Sequence, residues 1–312
     1  MSNGHADPKS IRIPDGHDPA DVFERHRAEL ERSRRAATLL YGGLFVLALA
    51  AAVYISNFYP DKLAAGVPKI GDYIYDILPV LDPALLFAGT KTEGSIAYWY
   101  FNLPKYLQLL AETINMALFA TIFGAFGGFV LCFPASRNLA PNGWVYFLCR
   151  RYMEFCRGVP EVIFAIAFVW AFGIGPLAGI VAIAIHSAGA LGKLFSEVNE
   201  NVDTKPMEGI RASGGSWFDE IRHGVVPQVL PNFVSYTLLR FEINIRASSI
   251  IGFVGGGGVG QELYYVINFN FYEEVSALVL LIVATVTCVD LISERVRHRF
   301  IGRENLVREN LA

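Results

Sequence analysis

Three stretches of this chain hold residue types and spacings that could do chemistry. "IIGFVGGGGVGQELYY", Ile250–Tyr265, sets Gly255, Gly257 and Gly260 on the fixed positions of G-x-G-x-x-G. Such a loop can cradle a phosphate on backbone N–H groups at a helix N-terminus. Just before it, "RFEINIRASS" places Arg240, Glu242, Asn244 and Arg246 at alternate positions, with Ser248 and Ser249 following. Glu242 and Arg246 stand four apart with the acid first, the favourable order for an ion pair on a helix. One reading makes that pair structural. The other makes Arg246 an anion-favouring step held in place by Glu242, since an anion in low dielectric needs compensating charge or donors. A third stretch, Ile185–Glu197, carries His186 beside Ser187, either a packing residue or a polar step, and a second i,i+4 pair, Lys193 and Glu197.

The elements that position these residues are membrane helices. The chain is 53% hydrophobic and only 18% charged over 312 residues, well below the charged share of an ordinary globular protein. The apolar residues come in blocks. Ala36–Asn57 has no charge and matches the roughly 20 apolar residues that a bilayer crossing needs. The polar lead before it is too long for a signal peptide, so it reads as a retained first helix. Further spans are expected at Lys105–Phe133, Trp144–Phe172 with a kink at Pro160, Leu177–Val198, Val229–Val254 and Val275–Ile292. The long connection Phe58–Pro104, rich in Pro and ending in "YWYFNLP", suits short interfacial helices at the outer surface.

Lys and Arg set the orientation. The tails carry Arg25, Arg27, Arg32, Arg34, Arg35, Arg295, Arg297, Arg299, Arg303 and Arg308, and alternate connections carry Arg137, Arg150, Arg151, Arg157, Lys205, Arg211 and Arg222. The intervening short connections have none. The positive-inside bias therefore gives six helices with both termini cytoplasmic, and puts the glycine run outside. Glu112 and Asn115 then fall near the outer end of the second helix as candidates for an outer gate, and Asp290 near the inner end of the last as a solvated residue. Cys132, Cys149, Cys156 and Cys288 make no CxxC pair and read as reduced thiols, with no metal site.

The cytoplasmic stretch Asn199–Gln228, "NENVDTKPMEGIRASGGSWFDEIRHGVVPQ", is the most informative connection. Asp203 or Thr204 can cap a short helix with Pro206 in its first turn, Gly214–Gly215 breaks it, Ser216 can cap a second, and Pro227 ends the segment. Two short helices exposing Met207, Ile210, Trp217 and Phe218 would make a compact knob; an amphipathic connector lying on the membrane is the plainer alternative.

This stretch resembles the signature loop of ABC-importer permeases, E-A-A-x3-G-x9-I-x-L-P. Glu208, Gly214 and Pro227 match at the family spacing, while Gly209 and Ile210 replace the alanines, Gly224 the isoleucine and Val226 the leucine. "RGVPEVIFAIAF" resembles the helix-3 segment of such permeases. "IHSAGALGKLFSE" and Arg240–Gly260 are most similar to the phosphonate-importer branch. The resemblance covers about Leu109–Arg297. It implies an all-α, type I importer permease fold, with Glu208, Gly209, Arg211, Ala212, Gly214, Trp217, Phe218 and Pro227 in the loop that docks on a separate ATPase. It implies a substrate pathway to which His186, Ser187, Glu242, Asn244, Arg246 and Ser248 are assigned. It implies as partners a second copy of the chain, a cytoplasmic ATPase dimer that binds the ATP and magnesium, and a periplasmic phosphonate-binding protein. No cofactor is expected in this chain and no nucleic acid as partner. The chain then divides into a tail (1–35), a first span (36–57), a periplasmic segment (58–104), the importer domain (105–297) and a second tail (298–312).

On this reading the glycine run follows a membrane helix, not a strand, so a nucleotide cradle is disfavoured and a flexible outer turn remains. Phosphate, phosphite or an amino acid are the alternative cargoes. A channel or secondary transporter is opposed by the signature loop and by the lack of an internal inverted repeat. A membrane enzyme is opposed by the lack of G-x-x-x-x-G-K-[ST], HExxH and GxSxG motifs.

Overall fold

The computed structural model describes residues 19–309, so the first part of the expected N-terminal tail and residues 310–312 lie outside it. Among the described residues all regular structure is helical. The chain divides into two compact units, one ending at Ile74 and one beginning at Tyr75.

The first unit holds α1 (Pro19–Ile55) and most of α2 (Pro60–Ile77). Pro19 opens α1, where its missing N–H costs nothing, and no further proline interrupts it, so the polar lead and the apolar span form one helix. Its part from Arg27 to Ile55 is long and apolar enough to cross a membrane. The connection expected at Phe58–Pro104 begins with the 18 residues of α2, Pro68 within it.

The second unit contains α3 (Ile96–Trp99), α4 (Leu103–Cys132), α5 (Gly143–Gly158), α6 (Glu161–Phe172), α7 (Pro176–Glu200), α8 (Lys205–Ala212), α9 (Trp217–Asp219), α10 (Val226–Ile251), α11 (Gly258–Asn268) and α12 (Tyr272–Glu309). A π-helical turn, Glu220–Val225, joins α9 to α10.

Helices α4 and α7 form its centre and run in the same direction. A Cβ on Gly124 would stand 2.6 Å from the Ser187 Cβ, and one on Gly128 would stand 2.9 Å from the Gly192 amide. The two backbones touch there, which is how membrane helices gain contact without a hydrophobic driving force between them. Buried side chains form three layers along this pair. Cys132, Phe133, Leu191, Phe195, Val225, Val229 and Phe233 pack at one end. Ala120, Ala165, Ala182, Ile183 and Ile251 fill the middle. Tyr106, Leu110, Val259, Val266 and Leu278 close the other end.

The third expected span is corrected. It is not one kinked helix: α5 and α6 meet at 85°. Pro160 lacks an N–H and drives Val159 out of the helical region, to φ −85° and ψ 123°, which stops a helix rather than bending it. The fifth helix starts at Val226 and stops at Ile251, and the sixth continues past Ile292 to Glu309. Helices α1, α4, α7 and α12 are long and apolar enough to cross a membrane, and α5 with α6 qualifies as a broken fifth span. Helix α10 has the length, but Arg240, Glu242 and Arg246 interrupt its apolar run.

Candidate functional site

The segment between α7 and α10 is a built knob. Asp203 and Gln228 clasp its base: the Asp203 N–H donates to Gln228 Oε1 and Gln228 Nε2 donates to the Asp203 carbonyl, both at 3.1 Å. Asp203 also accepts from the Lys205 N–H at the start of α8. Gly214 ends α8 with φ +83°, a conformation glycine adopts without strain. Ser216 and Asp219 form a capping box over α9. Arg211 grips Glu220 with two hydrogen bonds, 2.9 and 2.7 Å, the fork geometry that fixes both position and orientation. The Glu220 carboxyl is held below the ordinary carboxylate range by hydrogen bonding to Arg211, and Asp219 is lowered by its hydrogen bonds from Ser216.

The expected exposure of this knob is largely reversed. Met207 is buried, packed with Ile221 and Val225 against Cys132, Phe195 and Phe233. Trp217 is half-buried, its Nε1–H donating to the Leu139 carbonyl at 2.7 Å. Phe218 remains outside at 74% exposure, and Glu208, Gly209, Arg211, Ala212 and Gly214 share the exposed face. Pro227 does not end the segment; it sits in the first turn of α10, where no N–H is needed. The apolar side of the knob is thus spent on anchoring it to α4, α7 and α10.

Halfway along the unit, a polar chain crosses four helices. The Arg240 Nε donates to Ser187 Oγ at 3.0 Å, Ser187 donates to Asn244 Oδ1 at 3.1 Å, Asn244 Nδ2 donates to Thr121 Oγ1 at 2.9 Å, and Thr121 donates to the Ala117 carbonyl. Ser187, Asn244 and Thr121 are buried, and each hydroxyl both donates and accepts. Arg240 also contacts His186 Nδ1, and the same nitrogen lies 3.5 Å from Glu161 Oε2. His186 is therefore a member of this chain and not a packing residue.

The expected Glu242–Arg246 pair does not form. Arg246 binds Asp290 at 2.9 Å and Glu242 binds Arg297 at 3.3 Å, both across to α12. Asp290 keeps the solvent exposure expected of it and is also an ion-pair partner. A carboxylate and a guanidinium brought in by a neighbouring helix displace the local pairing. Ser248, one turn beyond Asn244 on the other face of α10, is buried with no hydrogen-bond partner for its hydroxyl. The Lys193–Glu197 pair does form, at 3.6 Å. Arg240, Glu161, Thr121 and Arg297 were not among the expected site residues. Arg240 and Asn244 carry the same i,i+4 spacing as Glu242 and Arg246, a signal that α10 has two polar faces.

The glycine run is not only a turn. Gly255 and Gly257 have φ of +89° and +83°, and Gly258 begins α11. A Cβ on Gly257 would meet Pro176, and one on Gly260 would meet the Ser249 carbonyl. The helix end that could hold an anion is already occupied: the Gly258 N–H donates to Glu112 Oε1 at 3.1 Å and the Val259 N–H to Thr113 Oγ1 at 2.9 Å.

A sequence profile of the family described as "Binding-protein-dependent transport system inner membrane component" matches residues 120–303. The phosphite transport system permease protein of Stutzerimonas stutzeri is 35% identical over 82% of this chain and 87% of its own length. The phosphate-import permease protein of Mycolicibacterium smegmatis is 36% identical over 67% of this chain and 40% of its own. Among solved structures, the inward-facing MetNI methionine ABC transporter aligns with a TM-score of 0.54 at 21% identity, covering 62% of this chain and 95% of its own, a likeness of fold.

Proposed function

We infer the work of this chain from its membership: it belongs to the binding-protein-dependent transport system inner membrane components, and we propose that it is the permease subunit of an ATP-driven importer for phosphonate or a related phosphorus oxyanion. Six crossings, made by α1, α4, the α5–α6 pair, α7, α10 and α12, put both termini in the cytoplasm. Two copies enclose the pathway. A separate ATPase dimer docks on the Glu208–Phe218 face, hydrolyses ATP and holds its magnesium, while a periplasmic binding protein delivers cargo at the α11 end.

The observation that carries this reading is the way the knob is joined to the membrane helices. Its exposed face bears the signature positions, and its buried face shares one core with α4, α7 and α10. A push on Phe218 and Glu208 reaches those helices as rigid-body motion. The phosphorus cargo is supported by the names of the relatives and by the cationic polar chain within the membrane. The test is ATPase activity of the complex reconstituted with its binding protein, across methylphosphonate, phosphite, phosphate and amino acids. Stimulation by phosphorus oxyanions is expected; stimulation by amino acids alone would sink the cargo assignment.

A further inference from the structure

We propose that the Arg240 guanidinium receives the oxyanion within the membrane, and that His186 and Ser187 hold it aimed until the anion arrives. This rests on the transport reading above and names the group that performs it.

Three arginines lie on or against α10, and their partners distinguish them. Arg246 has Asp290 at 2.9 Å and Arg297 has Glu242 at 3.3 Å. An oxyanion arriving at either would have to displace a carboxylate, exchanging one anion for another. The hydrogen bonds of Arg240 go instead to the neutral Ser187 hydroxyl and the His186 ring. The Nδ1 that accepts from Arg240 carries no proton, so this contact is made by a neutral imidazole with its proton on Nε2. Glu161 lies against the same Nδ1 and acts on Arg240 electrostatically, but it makes no direct ion pair with it, so its carboxylate does not occupy the fork. An oxyanion thus offers Arg240 a charge-assisted, bidentate contact in place of separate bonds to a neutral hydroxyl and a neutral ring.

The depth is fixed by the chain of hydrogen bonds. Arg240 bonds Ser187, which packs on Gly124, about 32 Å along α4 from Leu103 and about 12 Å from Cys132 at 1.5 Å per residue; Asn244, one turn further along α10, joins Thr121. The α5–α6 break lies beside it, since Glu161 opens α6 immediately after Pro160. Interrupted backbone at membrane depth is tolerated only where protein or a water-filled cavity covers it, and broken helices border substrate sites in transporters. The second polar face of α10, toward α12, has no such break beside it.

The experiment uses the full complex with its ATPase and binding protein. Uptake of methylphosphonate and phosphite into liposomes is measured for wild type, Arg240→Gln, Arg240→Lys and Arg246→Gln, with basal ATPase as the assembly check. Arg240→Gln is expected to lower turnover about tenfold or more, the factor that ~1.4 kcal/mol of lost binding gives. Arg240→Lys keeps the charge without the fork and is expected to fall between. In detergent, without binding protein, millimolar methylphosphonate should raise the thermal midpoint of wild type and Arg246→Gln but not of Arg240→Gln. Wild-type turnover in Arg240→Gln, or a thermal shift lost in Arg246→Gln and kept in Arg240→Gln, overturns the proposal while leaving the transport reading intact. If Arg240→Gln fails to assemble, full turnover in Arg240→Lys overturns it. Absence of wild-type uptake of any phosphorus oxyanion overturns both.

Discussion

The buried polar chain makes a quantitative demand on Thr121→Val and Asn244→Leu. Thr121 Oγ1 is the acceptor for Asn244 Nδ2, and both residues are buried. Thr121→Val conserves shape but leaves an amide N–H with no acceptor, at a cost of about 1–3 kcal/mol for an orphaned buried donor. Interhelical hydrogen bonds in membranes average ~0.6 kcal/mol by double-mutant cycles, so the lower half of that range is expected, about 1–1.5 kcal/mol. Asn244→Leu orphans the Ser187 hydroxyl proton instead, at similar cost; Thr121 still donates to the Ala117 carbonyl and loses little. In the double variant the valine has no amide left to orphan. Its destabilisation should match that of Asn244→Leu alone, giving a coupling of about 1 kcal/mol, where independent sites add within ~0.5 kcal/mol. Unfolding of the purified protein in mixed detergent micelles, followed by tryptophan fluorescence, reads all four corners of the cycle. Strict additivity would show that Asn244 and Thr121 are not partners, and the path from α10 to α4 would fail with them.

Other expectations follow from the knob and the helix ends. Gly214→Val forces a β-branched residue to φ +83°, and Glu208→Lys reverses a charge on the exposed face; each should uncouple ATPase activity from uptake while membrane insertion stays intact, and normal uptake in both would remove the docking assignment. The carboxyls of Asp219 and Glu220 are lowered in the folded knob, so the stability they contribute is present above the ordinary carboxylate pKa and is lost as pH falls through the lowered values. Hydrogen-exchange protection of Ser216–Val225 should therefore hold from neutral pH down into the ordinary carboxylate range, and fading already near neutrality would contradict the Arg211–Glu220 grip. A cysteine at exposed Phe269, just past α11, should react with an impermeant reagent from the periplasmic side; labelling only from the cytoplasm would invert the topology.

Much of the helical framework was legible because its signals are local. The ends of α4 and α7 fall within two residues of the expected spans, and Ser216 announces a cap by its type and place. Pro160 marked a disturbance, but a proline alone does not tell a kink from an 85° break; the extended Val159 before it decides that. The pairings were not legible. Glu242 and Arg246 satisfy the i,i+4 rule, yet Asp290 and Arg297 outcompete it from a helix about 50 residues away. Met207 and Trp217 look like docking residues on an isolated amphipathic segment. Their burial depends on α4, α7 and α10 converging beneath them, which no local pattern encodes. The π-helical turn Glu220–Val225 carried no recognisable signal.

The clasp between Asp203 and Gln228 closes a loop of 25 residues. Bringing such ends together costs a flexible chain about 3 kcal/mol in loop entropy. Here that cost is met during folding, by two hydrogen bonds, a bidentate ion pair and a shared apolar core. A surface ordered in advance loses little freedom when something lands on it. Contact energy at the knob is then left over for doing mechanical work on α10 rather than for organising the knob itself.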